Sequence, residues 1–279
     1  MDIIEKLIKQ AITEDLGDGD HTSMATIPEK ANGKMKLLVK EDGVIAGVDI
    51  ATKVLKEIDP EISMQILIHD GARVKKGDIV FYLTGSCRSM LIAERTMLNF
   101  MQRMSGIATS TYEYTKILAG TKTRLLDTRK TTPNMRIFEK MAVAIGGGMN
   151  HRMGLYDMVM IKDNHVDFAG GIKKAIEAEH TYLKNKGKKL KIEIEVRNFD
   201  ELDEVMNIGK VDRIMLDNFS PEDLKKAVQL INGRFETEAS GGITINNIKG
   251  YATSGVDFIS VGAITHHIKS LDLSLKAVE

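Results

Sequence analysis

The sequence is poor in the residues that mark several classes of protein. Cys87 is the only cysteine among 279 residues, so neither a disulfide framework nor a cluster of metal-bound thiolates is available. The 39 basic residues balance the 39 acidic ones, which argues against a protein that binds nucleic acid or a membrane through a basic surface. No apolar run approaches the roughly 20 residues of a transmembrane helix. The first residues are typical of an amphipathic helix rather than a leader peptide, and together these features predict a cytoplasmic protein.

Six short apolar runs between residues 123 and 263 each end in a polar, charged or glycine-rich step. From the third run onward they recur about every 22 residues, the length of one strand plus one crossover helix. They predict parallel βα units, and hence an α/β fold with a TIM-like (β/α) barrel, complete or incomplete, over residues 111–263. The predicted strands cover residues 123–127, 158–161, 192–196, 214–216, 235–239 and 256–261.

Residues 1–110 are predicted to form a smaller N-terminal α+β sandwich domain, followed by the barrel. A chain of 279 residues with 43% hydrophobic content can build both cores. The apolar spacing of the tail, 264–279, predicts that it packs on the first domain. Within that domain we expect a helix at 1–13, a polar loop at 14–23, strands at 34–40, 44–46, 63–68 and 79–84, a helix at 51–58, and a long helix from 89 to 118 with a break near 105–106.

Charged side chains follow the predicted barrel strands. In a (β/α) barrel the chemistry lies at the C-terminal ends of the strands, and here those ends carry Arg129, Lys130, Lys162, Glu195 and Asp217. Between positions 122 and 162, eight basic residues accompany only three acidic ones. Arginine presents a planar fork and lysine a compact charge, and both suit carboxylate or phosphate. The sequence therefore predicts an anion-binding site.

Two glutamates share one face of the strand at 192–196, because side chains alternate along a strand. Glu195 lies nearer the functional end. Glu193 lies deeper, where we expect it to pair with an inward cation such as Arg213, since a buried charge needs a partner. Glu195 and Asp217, on neighbouring strand ends, suit a Mg²⁺ ion that keeps several waters and is also held by substrate oxygens. Which glutamate is functional stays open at this point.

Three glycine-rich segments belong to the same predicted anion-binding site. Residues 146–152 join a glycine run to His151 and Arg152. A lone histidine is usually structural, but the flexible backbone and adjacent guanidinium make ligand contact the alternative. The steps at 240–242 and 261–263 let backbone N–H groups approach a phosphate, as in many barrels.

At these residues the chain resembles the quinolinate phosphoribosyltransferase family, also called nicotinate-nucleotide pyrophosphorylase (carboxylating), a type II phosphoribosyltransferase family. The matching segments occur in order over almost the whole chain, so their joint occurrence by chance is negligible. They are residues 14–22, 93–99, 105–109, 127–133, 146–155, 161–165, 194–196, 216–218, 240–242 and 260–263.

The resemblance implies a reaction of quinolinate with phosphoribosyl pyrophosphate (PRPP) and Mg²⁺ that gives nicotinate mononucleotide, pyrophosphate and carbon dioxide, a step of de novo NAD synthesis. It implies catalytic roles for Lys130, Lys162, Glu195 and Asp217, the last two also on the metal side, directly or through PRPP and water. The substrate-binding residues it implies are Arg95, Thr128, Arg129, Lys130, His151, Arg152, Lys162, Glu195, Asp217, Ser240, Gly241, Gly242, Val261, Gly262 and Ala263.

The resemblance also implies a homodimer in which Arg95 is donated to the site of the neighbouring subunit. From its position beside Glu94 alone, Arg95 would be interpreted as a surface ion-pair residue. Whether dimers assemble further into hexamers stays open. The chain departs from the family pattern mainly in one extra acid, Glu193.

Three rival functions remain at this level. A related type II phosphoribosyltransferase acting on another anionic base would share the PRPP site and differ in the base pocket. A Schiff-base barrel enzyme would use Lys162 as its nucleophile and would be trapped by borohydride. A phosphate-binding regulatory barrel would bind PRPP tightly without turnover.

Overall fold

The computed structural model describes residues 2–278 of the chain, which folds into two compact units. The first unit runs up to Tyr112, takes in Thr131–Gly147, and resumes at His267. The second unit consists of Glu113–Lys130 and Gly148–His266. No helix within 2–278 has both the length and the apolar character needed to cross a membrane.

Helices alternate with single strands along much of the chain. The helices are α1 (Ile3–Leu16), α2 (His21–Thr26), α3 (Val48–Ile58), α4 (Cys87–Leu118), α5 (Arg136–Ile145), α6 (Asp163–Ala169), α7 (Ile172–Lys186), α8 (Phe199–Ile208), α9 (Pro221–Ile231), α10 (Ile248–Ala252) and α11 (Ala263–His266). The strands are β1 (Asn32–Val39), β2 (Gly43–Val44), β3 (Ser63–Ile66), β4 (Arg73–Val74), β5 (Ile79–Ser86), β6 (Arg124–Leu126), β7 (Val159–Ile161), β8 (Ile192–Val196), β9 (Arg213–Asp217), β10 (Glu236–Ser240), β11 (Phe258–Ser260) and β12 (Leu273–Val278).

The first unit is built on an antiparallel sheet of order β12-β1-β5-β3, beside a separate β2-β4 pair. Alternation along β1 buries Met35, Leu37 and Val39 and leaves Lys34, Lys36 and Leu38 on the other face. The last strand, β12, pairs with β1 and places Leu275 opposite Leu37. The unit is therefore a small α+β domain whose sheet uses the C-terminal residues of the chain.

Two local predictions for the first unit were wrong. The segment predicted as a polar loop, 14–23, contains the end of α1 and the start of α2, because the Asp20 carboxylate accepts a hydrogen bond from the Ser23 amide at 3.0 Å and caps α2. The predicted break near 105–106 is also absent, since α4 runs without interruption to Leu118. Gly106 instead permits close approach of another segment, because a Cβ there would meet the backbone carbonyl of Lys269.

The second unit carries a six-stranded sheet of order β6-β11-β10-β9-β8-β7, with every neighbouring pair parallel. This confirms the predicted α/β class, with strands close to the predicted positions. β6 and β7 form the two edges of the sheet, and within 2–278 no ladder joins them. The core is formed by the apolar face of the strands, which includes Ile192, Ile194, Ile214, Leu216 and Ile259.

Helices begin directly after two of the central strands and so hold the strand ends in place. Two residues after β8, the Asn198 side chain accepts a hydrogen bond from the Glu201 amide at 2.9 Å and starts α8. After β9, Ser220 accepts from the Asp223 amide at 3.1 Å, and Pro221 occupies the first helical position of α9. Short loops of this kind keep the last residues of each strand at one edge of the sheet.

Candidate active site

The parallel sheet brings most of the predicted site residues to one edge. Because all six strands run in the same direction, their C-terminal ends lie together. The register aligns Asp217 at the end of β9 with Ser240 at the end of β10. The predicted residues at or just after these strand ends are Thr128, Arg129, Lys130, Lys162, Glu195, Asp217, Ser240, Gly241, Gly242, Val261, Gly262 and Ala263.

Two acids and a lysine meet at the ends of β7, β8 and β9. The Lys162 Nζ lies 3.8 Å from an Oε of Glu195. Burial raises the pKa of Glu195, the nearby charge of Asp217 raises it further, and Lys162 opposes both. The two carboxylates therefore repel each other, and a cation near both would stabilise them.

The Asp217 carboxylate is held by its neighbour in the chain. Asn218 donates from Nδ2 to an Oδ of Asp217 at 2.6 Å, and its backbone N–H donates to the Ser240 carbonyl at 2.9 Å. Gly241 has φ +95°, and a Cβ there would lie 2.6 Å from Cγ of Asn218. Glycine is thus required at 241 by both the backbone conformation and the close approach of Asn218.

The ends of β6 and β11 are in contact through Lys130. A Cβ at Gly262 would lie 3.0 Å from Cδ of Lys130, so the lysine stem passes directly over this glycine. Thr265 Oγ1 donates to the Lys130 carbonyl at 2.8 Å and fixes the backbone there. A lysine held beside a glycine backbone suits a phosphate group.

Two guanidinium groups lie near each other at the β6 end of the edge. Burial lowers the pKa of Arg152, and the neighbouring charge of Arg129 lowers it further, while Glu193 and Asp157 oppose this. Arg152 Nη1 also donates to the Met158 carbonyl at 3.2 Å, which fixes its direction. Adjacent cations that repel each other are typical of a site built for an anion.

His151 is buried and lies between two carboxylates. Its Nε2 is 2.9 Å from an Oε of Glu193 and 3.4 Å from an Oε of Glu238. The predicted partner of Glu193, Arg213, is confirmed but is more distant, with its Nη1 at 4.0 Å. The structure therefore places His151 in a buried polar cluster directly before Arg152 in the chain.

The two ring nitrogens of His151 have different partners, which fix where the ring carries its proton. Burial would lower its pKa, but Glu193 and Glu238 raise the pKa to about 9. The Arg152 amide lies 2.7 Å from Nδ1, a contact in which Nδ1 would carry no proton. The amide of Arg152 thus fixes Nδ1 as an acceptor, and the proton of the ring is on Nε2, which faces the carboxylates of Glu193 and Glu238.

Family comparison decides between the possible interpretations of this edge. The model described as "Quinolinate phosphoribosyl transferase, N-terminal domain" matches residues 20–105, and the corresponding C-terminal domain matches residues 107–276. The chain belongs to the quinolinate phosphoribosyl transferase family.

Individual relatives agree with this family over nearly the whole chain. The chloroplastic nicotinate-nucleotide pyrophosphorylase [carboxylating] of Arabidopsis thaliana is 46% identical, with 98% of this chain and 82% of the relative covered. A probable enzyme of the same name from Synechocystis is 40% identical, with 99% and 93% covered. The structure of the Francisella tularensis nicotinate-nucleotide pyrophosphorylase superimposes with a TM-score of 0.92 at 42% identity, and 99% and 96% of the two chains are covered.

Two residues of this region were not predicted from the sequence, and one predicted site residue lies in the first unit. Arg95 lies on α4 in the first unit, and its donation to a partner subunit remains a prediction. Glu238 was missed, although the alternation in β10 puts Glu236 and Glu238 on one face, as in β8. Asp127 had no predicted role, yet it is buried and accepts hydrogen bonds from the His151 amide at 2.8 Å and from Asn150 Nδ2 at 2.6 Å.

Proposed function

We propose that this chain performs the reaction of its family at the edge described above. It transfers the phosphoribosyl group of PRPP to quinolinate with loss of carbon dioxide, and gives nicotinate mononucleotide and pyrophosphate for de novo NAD synthesis. The observation that carries this proposal is the combination of the Arg129–Arg152 cation pair with the Glu195–Asp217 acid pair along one set of strand ends. A related enzyme acting on another anionic base is not favoured, because the relatives carry names of the quinolinate reaction.

Binding first requires neutralisation, since quinolinate is a dianion and PRPP carries several further charges. Arg129 and Arg152 would hold the carboxylates of quinolinate through paired N–H groups. Lys130, with the backbone at Gly241 and Gly262, would hold phosphate oxygens of PRPP. Each pair of opposite charges at 4 Å contributes about 4 kcal/mol where the effective dielectric constant is near 20, which is enough to bring two repelling anions together.

The transfer step then depends mainly on positioning. The pyridine nitrogen forms a bond to the ribose C1 while the bond from C1 to the pyrophosphate oxygen breaks. C1 acquires positive charge in between, and the carboxylate of Glu195 or Asp217 offsets it. The departing pyrophosphate gathers negative charge, which Lys130 and Lys162 stabilise.

Loss of carbon dioxide follows from the charge on the ring. Once ribosylated, the ring nitrogen is cationic, so the ring can hold the electron pair left when the bond to the adjacent carboxylate breaks. That ring carbon then takes up a proton. Arg152, which His151 precedes and holds in place, would orient the carboxylates so that the one next to the nitrogen is the one released.

The residues present fit Mg²⁺, which we propose as the cofactor. Glu195 and Asp217 provide hard carboxylate oxygens that already repel each other. Within 2–278, neither belongs to a group of three protein ligands close enough to enclose an ion, which suits a metal that keeps waters and substrate oxygens. When bound, the ion supplies charge neutralisation for the pyrophosphate. Removing Mg²⁺ with a chelator should therefore stop turnover.

We further propose a homodimer completed by Arg95 from the partner, and a location in the cytoplasm. PRPP is highly charged and does not cross a bilayer unaided, so the enzyme must work in a compartment that supplies PRPP, and we expect this compartment to be the cytoplasm. Cell fractionation with an antibody to the chain tests this.

The substrate is tested by offering the purified enzyme PRPP and Mg²⁺ with quinolinate, nicotinate or orotate in turn. Quinolinate should give a nucleotide product at a rate well above the other two bases. Preferred use of another base would favour the related transferase. Tight PRPP binding with no product from any base would favour a regulatory barrel.

A further inference from the structure

Four charged side chains form a buried network one step deeper in the sheet than the strand-end residues. Glu193 precedes Glu195 by two residues on the same face of β8 and is fully buried. His151, Arg213 and Glu238 are buried with it. Burial and the charge of Glu238 raise the pKa of Glu193 to about 7, while His151 and Arg213 oppose this rise.

Its lower end is fixed by Arg213. Arg213 Nη1 donates to an Oε of Glu238 at 2.9 Å, and its guanidinium lies 4.0 Å from the ring centroid of Phe258. Nε and Nη2 donate to an Oε of Glu236 at 3.2 and 3.1 Å. An arginine held from three sides cannot move easily, and it holds the carboxylate of Glu238 in one place.

Its upper end is the segment that carries Arg152. The Met149 amide donates to the Leu125 carbonyl at 2.8 Å, so this segment runs beside β6. The His151 amide donates to Asp127 at 2.8 Å, and its ring Nε2 lies 2.9 Å from Glu193. His151 is therefore held by its backbone to the residue after β6 and by its ring to β8, which leaves the next residue, Arg152, little freedom.

The network also acts on Arg152 through charge. In the absence of substrate, Arg129 repels Arg152, and the negative charge of Glu193 opposes that repulsion. Without the carboxylate of Glu193, less negative charge would oppose the repulsion between Arg129 and Arg152. Burial strengthens this repulsion.

The same atoms could be interpreted as a metal site, because ligand atoms of His151, Glu193 and Glu238 lie within 4.8 Å of one another. Arg213 already supplies the positive charge that a metal ion would bring, and its Nη1 lies 2.9 Å from Glu238. A metal ion here would face a guanidinium at close range, so the ion-pair network is the better account.

We propose that Glu193, supported by Glu238, is a positioning residue for the quinolinate side of the site. Its carboxylate holds the His151 ring and offsets the charge of Arg152. The Arg152 side chain is therefore oriented to bind the carboxylates of a pyridine dicarboxylate before the substrate binds. This inference rests on the proposed function. Glu193 has no proposed role in binding PRPP. A general structural role would instead affect the binding of both substrates.

The test is Glu193→Gln, which removes the charge and keeps the length of the side chain. The KM for quinolinate should rise about tenfold or more, a loss of about 1.4 kcal/mol, while the KM for PRPP stays within about twofold. Glu193→Asp, which keeps the charge on a shorter stem, should recover part of this loss. Glu238→Gln should raise the quinolinate KM by a smaller factor, because Glu238 lies farther from His151.

The control is Asp257→Asn, which removes a carboxylate between strands of the same unit without contact to His151. It should lower thermal stability and leave both KM values near those of wild type. If Glu193→Gln does not fold, Glu193→Asp and Glu238→Gln carry the same comparison of the two KM values. Equal changes in both KM values, or a folded Glu193→Gln enzyme with wild-type constants, would overturn the assignment. Failure of the proposed function is distinguishable, because the wild-type enzyme itself would then not use quinolinate.

Discussion

Lys162 and Glu195 lie at the ends of adjacent strands, with Nζ 3.8 Å from an Oε of the carboxylate. In the free enzyme burial and the charge of Asp217 raise the pKa of Glu195, and together they outweigh the charge of Lys162, which lowers it. When PRPP binds, its phosphate oxygens would compete with Glu195 for Lys162. Lys162 and Glu195 therefore lie close together at the strand ends before the substrates bind.

Arg152→Ala should lose most activity, about a hundredfold or more, with the fold retained, because a half-buried guanidinium that neutralises substrate charge is removed. Steady-state rates and circular dichroism spectra measure the two effects. Lys225→Ala, at an exposed position on α9, is the matched loss of a cation in the same unit and should have wild-type rates. Wild-type turnover in the Arg152→Ala enzyme would remove Arg152 from the site.

Arg95→Ala and Lys130→Ala should each be inactive alone and regain activity when mixed. In a dimer that shares Arg95 across the interface, a mixed pair contains one site with both residues intact. The measurement is the rate after subunit exchange, with exchange confirmed by differently tagged chains. No recovery despite confirmed exchange would mean that each subunit completes its own site.

Gly241→Ala should reduce both stability and activity. A Cβ at 241 would collide with the Asn218 side chain, which holds the Asp217 carboxylate, and φ of +95° is itself unfavourable for alanine. Gly242→Ala is the matched control, because φ is +60° there but no heavy atom lies within 4 Å of the added carbon. That control should lose only about 1–2 kcal/mol in the free energy of unfolding, measured with urea. Equal losses in the two variants would contradict the contact with Asn218.

Asp257 should stabilise the second unit in a pH-dependent way. Burial raises the pKa of Asp257, but hydrogen bonds from Lys122 and Thr237 outweigh this and lower the pKa below its usual value. A carboxyl group with a lowered pKa in the folded state contributes stability that is complete above its unfolded pKa of about 3.9 and is lost as the pH falls through the folded value.

Asp257→Asn should therefore be less stable than wild type at pH 7, and the difference should shrink as the pH approaches 3. Urea unfolding at both pH values measures this. A difference that stays constant, or grows in acid, would show that the charge of Asp257 is not what stabilises the strand.

The sequence predicted the strand ends of the second unit because strands and helices of regular length leave a regular apolar pattern. That pattern alone was enough to place Lys162, Glu195 and Asp217 at one edge of the sheet. It could also separate Glu195 at the edge from Glu193 below it, because side chains alternate along β8.

The rest depended on contacts between residues far apart in the chain. The pairing of His151 with Glu238 joins β10 to a loop that lies 87 residues earlier, and no local pattern marks it. Gly106 resembles a helix break in sequence, whereas its role is close approach to Lys269, another distant residue. Arg95 could be linked to the site only through the family resemblance, since no charge pattern on α4 distinguishes it from a surface residue.

The central claim is that one edge of this sheet holds quinolinate and PRPP, two mutually repelling anions, in reacting contact. It is tested most directly with quinolinate carrying labelled carbon in the carboxylate next to the ring nitrogen, incubated with the purified enzyme, PRPP and Mg²⁺. The account predicts labelled carbon dioxide and nicotinate mononucleotide in equal amounts, and neither when PRPP is omitted. Absence of both products from a folded enzyme supplied with all three components would contradict it.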